Sequence, residues 1–424
     1  MKKELVLFFY QAAYGCLFPF ILLLLVKRKD TRKRLLSLLG LIRSEAREIT
    51  SIRQNMDWFH AVSFGETKLA MHFISYGIKN RMITRPIVFT TTIENSLQYA
   101  LNFMHKHHPD HEFYAFFHPL DFFIATPSLF RCFAPKRFFL FETDFWPWTT
   151  SRLKKAGCKC FLINGRVSPG IQQVSNGFRD LFLPLFQSYT VLFCQSKDTQ
   201  NYFQKLGLAK SAYLANQMKV DLLPTKSELT PFFSISCSSP MLVFGSFHQN
   251  EWTDLLPMLK TAQNKAVLVL VPRNVNEATW FLNQCLKENI EASMACRGQH
   301  ITATASVLII DSMGELNAIY SQASLCIVGG SFSSYGGHNF LEPLALKKPV
   351  MIGPDTRNFS EDVSEYLSQG LIRQAQNGQN GSQQIQEFLS NPKSFIEMSL
   401  KAWENLQTKL GVTQATWEII QKKS

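Results

Sequence analysis

From Trp58 onward the chain repeats one pattern: a short apolar run, a polar or glycine-bearing stretch, then a longer segment with apolar positions three and four apart. Runs too short for a helix and apolar on both faces read as strands of a parallel sheet, with the longer segments as crossover helices. Trp58 to Val62, Ile87 to Thr90, Phe113 to Phe116, Arg137 to Phe141, Cys160 to Ile163 and Val191 to Phe193 are the predicted strands of one domain. Met241 to Phe244, Val267 to Val271, Val307 to Ile310, Leu325 to Val328 and Val350 to Met351 are those of a second. Pro224 to Pro240 is rich in Ser, Thr and Pro and without periodicity, which places the linker between them around 216–240. No segment recurs with the period of a solenoid. The predicted fold class is therefore α/β, two Rossmann-like doubly wound domains over 31–215 and 216–424, preceded by a distinct segment over 1–30.

That first segment departs from the pattern. Leu5 to Val26 is an apolar run of 22 residues between Lys2-Lys3 and the basic stretch Lys27-Arg28-Lys29 and Arg32-Lys33-Arg34. As a helix it spans about 33 Å, enough for a bilayer core of about 30 Å. A cleaved signal peptide is the competing reading, but no small-x-small cleavage site follows the run. The heavier positive flank on its C-terminal side predicts a single transmembrane anchor with the remaining chain in the cytoplasm. Leu35 to Ile52, with apolar residues spaced among Arg and Glu, predicts an amphipathic helix on the bilayer or on the first domain, or an ordinary surface helix.

Composition narrows the class. Hydrophobic content of 46% with 18% charge describes large cores, which excludes a disordered chain. The net charge is +12, but residues 1–53 hold eleven Lys/Arg against four Asp/Glu, a net +7 that leaves +5 for all the rest. Basicity concentrated beside an apolar segment suits anionic lipid headgroups. No basic helix, zinc finger or aromatic-basic RNA motif points to nucleic acid, and no feature indicates a protein partner. The nine cysteines are odd in number and scattered, and Cys158-Lys-Cys160 is too close-set for a zinc knuckle, so they read as reduced thiols in packing roles.

Polar residues cluster directly after the predicted strands, where an open α/β sheet binds its ligands. Ser63-Phe-Gly-Glu66, Glu142-Thr-Asp-Phe-Trp-Pro147, Asn164-Gly-Arg166, Gly245-Ser-Phe-His248, Pro272-Arg273 and Asp311-Ser-Met-Gly-Glu-Leu316 all hold such positions. The longest is Gly329 to Pro343, whose four glycines let backbone N–H groups approach an anion before a predicted helix over Phe340 to Leu346. Each stretch alone also fits a helix cap or a tight turn. Together they predict two ligand-binding rims facing one another across a cleft, one substrate on each.

In order and spacing these motifs, with Asn216-Gln-Met-Lys219-Val-Asp221 and Gly336-Gly-His-Asn-Phe-Leu-Glu-Pro343, resemble the Kdo transferases, which add 3-deoxy-D-manno-octulosonic acid to lipid A precursors in Gram-negative bacteria. The resemblance runs from the first segment to about residue 360. It implies the GT-B fold, with a lipid A precursor bound by the first domain and CMP-Kdo by the second. It further implies inverting transfer without a metal or other cofactor, at the inner membrane. Phe64, Gly165 and the stretch after Arg273 depart from the usual family pattern, and Phe395 to Leu406 and Thr413 to Ile420 match the terminal helices that cross back in such enzymes.

The resemblance makes Glu66 the expected base, at a strand-to-helix turn where the helix N-terminus favours its ionised form; its alternative role is helix capping. Glu142 and Arg166 are expected beside the acceptor. Lys219, Ser246, His248, Arg273 and Ser331, with the Gly329-Gly330 backbone, are expected at the CMP phosphate; Met313 and Gly314 at cytosine; Asn339 and Glu342 at ribose. His338 is equally a structural histidine of its loop. Two other functions share most of these features: a GT-B enzyme using a UDP-sugar on a lipid, and a non-catalytic nucleotide-binding scaffold.

Overall fold

Both series of apolar runs form parallel seven-stranded sheets in the structure, a computed structural model. It describes residues 2–27, 55–123, 126, 135–142, 146–167, 183–184, 186–225, 229–235, 238–295, 297–301 and 307–423, with side chains over 4–18 of the first stretch. The expected helix over Leu35 to Ile52 lies outside these residues, as do residues 143–145 and 168 of the motifs.

In the first sheet the strands are β1 (Asp57–His60), β2 (Ile87–Thr91), β3 (Phe113–Phe117), β4 (Arg137–Phe141), β5 (Lys159–Gly165), β6 (Val191–Cys194) and β7 (Ala212–Leu214). Their spatial order is β3-β2-β1-β4-β5-β6-β7. Every residue of β1, β2, β4 and β6 is buried, which is why these runs show no apolar-polar alternation. The chain builds outward from β1 in one direction, then returns to place β4 on its other side, so a topological switch point lies between β1 and β4.

The second sheet repeats this plan. β9 (Met241–Phe247), β10 (Val267–Pro272), β11 (Ala292–Ala295), β13 (Val307–Ile310), β14 (Leu325–Val328), β15 (Val350–Ile352) and β16 (Arg373–Gln374) lie in the order β11-β13-β10-β9-β14-β15-β16. Its switch point is between β9 and β14. Outside it, β8 (Ser234–Ile235) pairs with β12 (His300–Ile301). The strands absent from the sequence expectation, β7, β8, β11, β12 and β16, have two to four residues and carry no continuous run of large apolar side chains.

The chain divides into one unit of Met1–Leu222 with Gly411–Ser424, and a second of Leu223–Leu410. Residues 216–222, assigned by sequence to the second domain, stay with the first for a local reason. Asp221, in the 3-10 turn Met218–Leu222, accepts hydrogen bonds from Gly411 N at 2.8 Å and Thr413 N at 2.6 Å. The helix they open, Val412–Lys423, puts Trp417 against Phe73, with ring centroids 4.5 Å apart and Trp417 Nε1 donating to Phe73 O. Helix Pro392–Gln407 belongs to the second unit.

The N-terminal run is helical over Lys2–Lys27, here α1. Its described side chains do not stand apart from the body: Tyr10 Oη donates to Asp121 Oδ2 at 3.1 Å and Tyr14 stacks on Phe122. Among the described residues no helix is long and apolar enough to cross a membrane, so the transmembrane reading of Leu5 to Val26 finds no support here. The run was read as spanning because its length and hydropathy fit a bilayer. Tyr10 and Gln11 are instead spent on the first unit.

Candidate active site

In the first unit the switch point brings together the loops after β1 and β4, and with them Glu66 and Glu142. Ser63 ends the first loop as the N-cap of α2 (Phe64–Lys79), because its hydroxyl accepts from Glu66 N at 3.2 Å. Glu66 returns the bond in a capping box: Oε2 accepts from Val62 N at 2.8 Å and Ser63 N at 3.3 Å. Both bonds end on Oε2. Cap and base are therefore compatible roles, since one oxygen takes both amide bonds.

Glu66 is only 6% exposed, and burial pushes its pKa up, helped by the neighbouring charge of Glu142; the amides of Val62 and Ser63 pull the other way. This reverses the direction expected from helix position alone. Desolvation outweighs the helix N-terminus, and the carboxylate becomes a stronger base than an exposed glutamate.

Glu142 follows β4 with φ of 61°, a left-handed conformation that is uncommon for a non-glycine residue and often found at functional sites. Its N donates to Ile163 O at 3.0 Å, and its carboxylate meets Lys219 Nζ at 2.6 Å and Asn164 Nδ2 at 3.3 Å. Asn164, buried and also left-handed, holds the other side of this network by accepting from Met218 N at 3.0 Å. Lys219 was assigned by sequence to the CMP phosphate. The structure places it in the first unit, against Glu142. Arg166 follows on the next turn with an exposed side chain, consistent with a contact to an anionic acceptor.

In the second unit the switch point joins the loops after β9 and β14. Gly329 N donates to Gly245 O at 2.8 Å, and a Cβ on Gly329 would lie 2.7 Å from Ser246 O and 2.8 Å from Phe247 Cα. Glycine is required there by the close passage of two main chains. Ser246 takes φ of 60°, and Gly330 φ of 70° with its α-carbon facing the His338 ring. His248 and His338 meet Nε2 to Nε2 at 2.8 Å, so one donates and the other accepts, and Tyr335 stacks on His248 at 3.7 Å between centroids. Burial first, then the Arg273 cation, depresses both imidazoles, and His338 falls to about 4. Arg273 is exposed directly after β10, on the same side of the sheet as the loops that carry the histidines.

One residue that sequence reasoning missed organises this loop. Glu251 is fully buried; Oε2 accepts from His248 N and Gly330 N, both at 2.9 Å, and Oε1 from Phe332 N at 3.0 Å. Its signal was the spacing His248-x-x-Glu251 just after a strand, a capping-box pattern. Ser331 is the converse case. Its hydroxyl donates to Val328 O at 2.6 Å and accepts from Gly353 N at 2.7 Å, so the side chain is committed within the fold.

Asn339 Nδ2 donates to Glu342 Oε1 at 3.1 Å, which brings the two expected ribose ligands together. The helix they flank is short, Leu341–Ala345. Met313 is 83% exposed and Gly314 has φ of 86° with open space around its α-carbon, both on the loop after β13. Among the described residues no group of three or more His, Cys, Asp or Glu is placed to hold a metal ion.

Residues 31–222 match the sequence model of the 3-deoxy-D-manno-octulosonic-acid transferases, and a 3-deoxy-D-manno-octulosonic acid transferase of Rickettsia felis is 25% identical over 370 residues, covering 85% of this chain and 78% of its own. Residues 31–222 thus resemble a Kdo transferase domain, and the chain is similar to Kdo transferases over most of its length. It is a glycosyltransferase, and the matched domain covers the loops that carry Glu66, Glu142 and Lys219. Among solved structures, UDP-GlcNAc 2-epimerase from Neisseria meningitidis is 13% identical with a TM-score of 0.56, covering 87% of this chain and 99% of its own. That likeness shows the shared GT-B-type fold of two parallel sheets. The C-terminal CMP-Kdo binding domain of WaaA from Acinetobacter baumannii is 27% identical, over 41% of this chain and 90% of its own, at a TM-score of 0.34.

Proposed function

We propose that this glycosyltransferase moves Kdo from CMP-Kdo to a lipid A precursor, one or several residues in succession, by single displacement with inversion and without a metal. An acceptor hydroxyl attacks the anomeric carbon, its proton passes to Glu66, and CMP leaves with the bonding electrons. The observation that carries this reading is Glu66: a buried, basicity-raised carboxylate at a switch point, fixed by two backbone amides that both fall on Oε2. Glu142, Lys219 and Arg166 orient the anionic acceptor. On the donor side, His248, His338 and Arg273 with the Gly329-Gly330 backbone take the departing phosphate. Asn339 with Glu342 takes ribose, and the backbone at Met313 and Gly314 takes cytosine.

The acceptor is a membrane lipid, and α1 offers a way to reach it. Leu5, Phe8, Phe9 and Leu17 are more than half exposed, an unusual density of solvent-facing apolar side chains on one helix. Set against the cytoplasmic leaflet of the inner membrane, they and the basic residues over 27–34 attach the first unit to the bilayer. Mass analysis of the product from full-length protein, CMP-Kdo and a lipid A precursor tests the reaction. A product heavier by one or more Kdo residues is expected; an unmodified acceptor, or transfer only from a UDP-sugar, overturns it.

A further inference from the structure

Between α1 and α4 (Pro147–Lys155), within the first unit, runs a groove of about 920 Å³. Polar contacts at both ends fix its width. At one end Asp121 is buried and joins the helices: it accepts from Tyr10 Oη on α1 and from Trp148 N, Thr149 N and Thr149 Oγ1 on α4. Gln11 locks the same end, with Nε2 donating to Asp121 O at 3.0 Å and Oε1 accepting from Phe123 N at 2.8 Å. At the other end Lys155 Nζ pairs with Glu4 at 2.6 Å.

Between these fixed ends the apolar side chains do not close on one another. Leu7, Ala12, Phe123 and Trp148 line the groove, yet Phe8 stays 65% and Phe123 49% exposed. Helices that meet only to complete a core bury such side chains, and this volume is that of a small-molecule site. Arg152 adds charge. It is exposed, lies 5.7 Å from the Trp148 ring centroid, and pairs with no carboxylate among the described residues. An apolar trough with a free guanidinium on its wall matches an amphiphile with an acyl chain and a phosphate.

Position selects which amphiphile. α4 begins at Pro147, five residues beyond Glu142 at the carboxyl end of β4, and runs away from that edge for nine residues, about 13 Å. The Asp121 and Trp148 end of the groove is therefore the end nearest the edge that bears Glu66 and Glu142. We propose that the groove binds a fatty acyl chain of the acceptor, a phosphorylated acylated glycolipid, with Arg152 at its phosphate and its sugar hydroxyl toward Glu66. This rests on the transferase reading above and adds a subsite to it.

The test uses full-length protein in detergent with two acceptors, the acylated glycolipid and its chemically deacylated counterpart. Ala12 is exposed, so Ala12→Phe fills the trough without entering a core. The ratio of kcat/KM on acylated over deacylated acceptor is expected to fall about tenfold, through KM. Arg152→Ala should raise KM for the phosphorylated acceptor, and it carries the test if Ala12→Phe does not fold. A ratio unaltered by Ala12→Phe, or, where that variant does not fold, a KM unaltered by Arg152→Ala, overturns the proposal. So does a defect confined to partition onto phosphatidylglycerol vesicles, which would assign the groove to bulk lipid. Should wild-type protein act on neither acceptor, the transferase reading fails instead. Binding of cis-parinaric acid to wild type, and its loss in Ala12→Phe, then decides whether the groove holds an acyl chain.

Discussion

Lys219 Nζ lies 2.6 Å from Glu142 Oε1, the carboxylate whose charge reaches Glu66 across the switch point. Glu142 pushes the Glu66 pKa up in addition to burial, while the lysine offsets part of the Glu142 charge. A base must be ionised, so turnover is lost as pH falls through a Glu66 pKa that lies above the ordinary carboxylate value. Glu142→Gln removes the like charge and is expected to move the acid limb of kcat to lower pH. Lys219→Met unmasks Glu142 and moves it to higher pH. A pH–rate profile of the three proteins checks the opposite signs; shifts in one direction for both would contradict the coupling.

The His248–His338 contact predicts proton-linked donor binding. With His338 held at about 4, the pair carries little positive charge at neutral pH. A phosphate dianion beside it favours the imidazolium, so the bound pKa exceeds the free one and binding takes up protons. CMP affinity should therefore rise as pH falls from about 8 to about 6.5, above the pH where the phosphate itself protonates. Calorimetry in buffers of different ionisation heat reads the proton uptake. His338→Gln should abolish it, and uptake that persists in this variant would refute the assignment.

Glu251 makes a prediction about stability. Its replacement by Ala leaves the amides of Gly330, Phe332 and His248 without their shared acceptor in a fully buried place. A loss of about 1–3 kcal/mol for each buried donor left unsatisfied is the upper range, reduced where water enters. A lower thermal midpoint together with weaker CMP binding is expected. Binding that stays intact in the folded fraction would show that the loop does not depend on this carboxylate.

Gly329→Ala tests the close passage of the two loops. The added methyl would meet Ser246 O and Phe247 Cα, which are main-chain atoms and cannot swing away. A cost of about 1–3 kcal/mol is expected, as for overpacking of a core. Thermal denaturation measures it, and a neutral outcome would mean that the loops after β9 and β14 separate easily.

Much of this was legible in the sequence, for identifiable reasons. Arg137 to Phe141, Val307 to Ile310 and Leu325 to Val328 were bounded as found, because fully buried parallel strands write continuous apolar runs. β11, Ala-Ser-Met-Ala, carries no such run and is held by its pairing with β13. At the site, Glu66 and Glu142 stood out as carboxylates after strands. The Lys219 partner could not be read, since it returns from residue 219 to residue 142 through Asn164 and Met218. Ser331 shows a similar limit: a serine in a glycine-rich loop reads as a phosphate ligand, and the bonds of its hydroxyl to Val328 O and Gly353 N are visible only in the fold. The fate of α1 turned on Tyr10 and Gln11, two polar positions in an apolar run whose partners lie more than 100 residues away.

The role of Glu66 is the centre of the account, and Glu66→Gln measures it. The amide keeps the shape of the side chain and can keep its oxygen on Val62 N and Ser63 N, so the thermal midpoint should change little. It cannot take a proton, so kcat for Kdo transfer should fall by roughly 10² to 10⁴ while CMP affinity stays near wild type. Turnover close to wild type in the same folded sample would contradict the account and leave Glu66 as a helix cap.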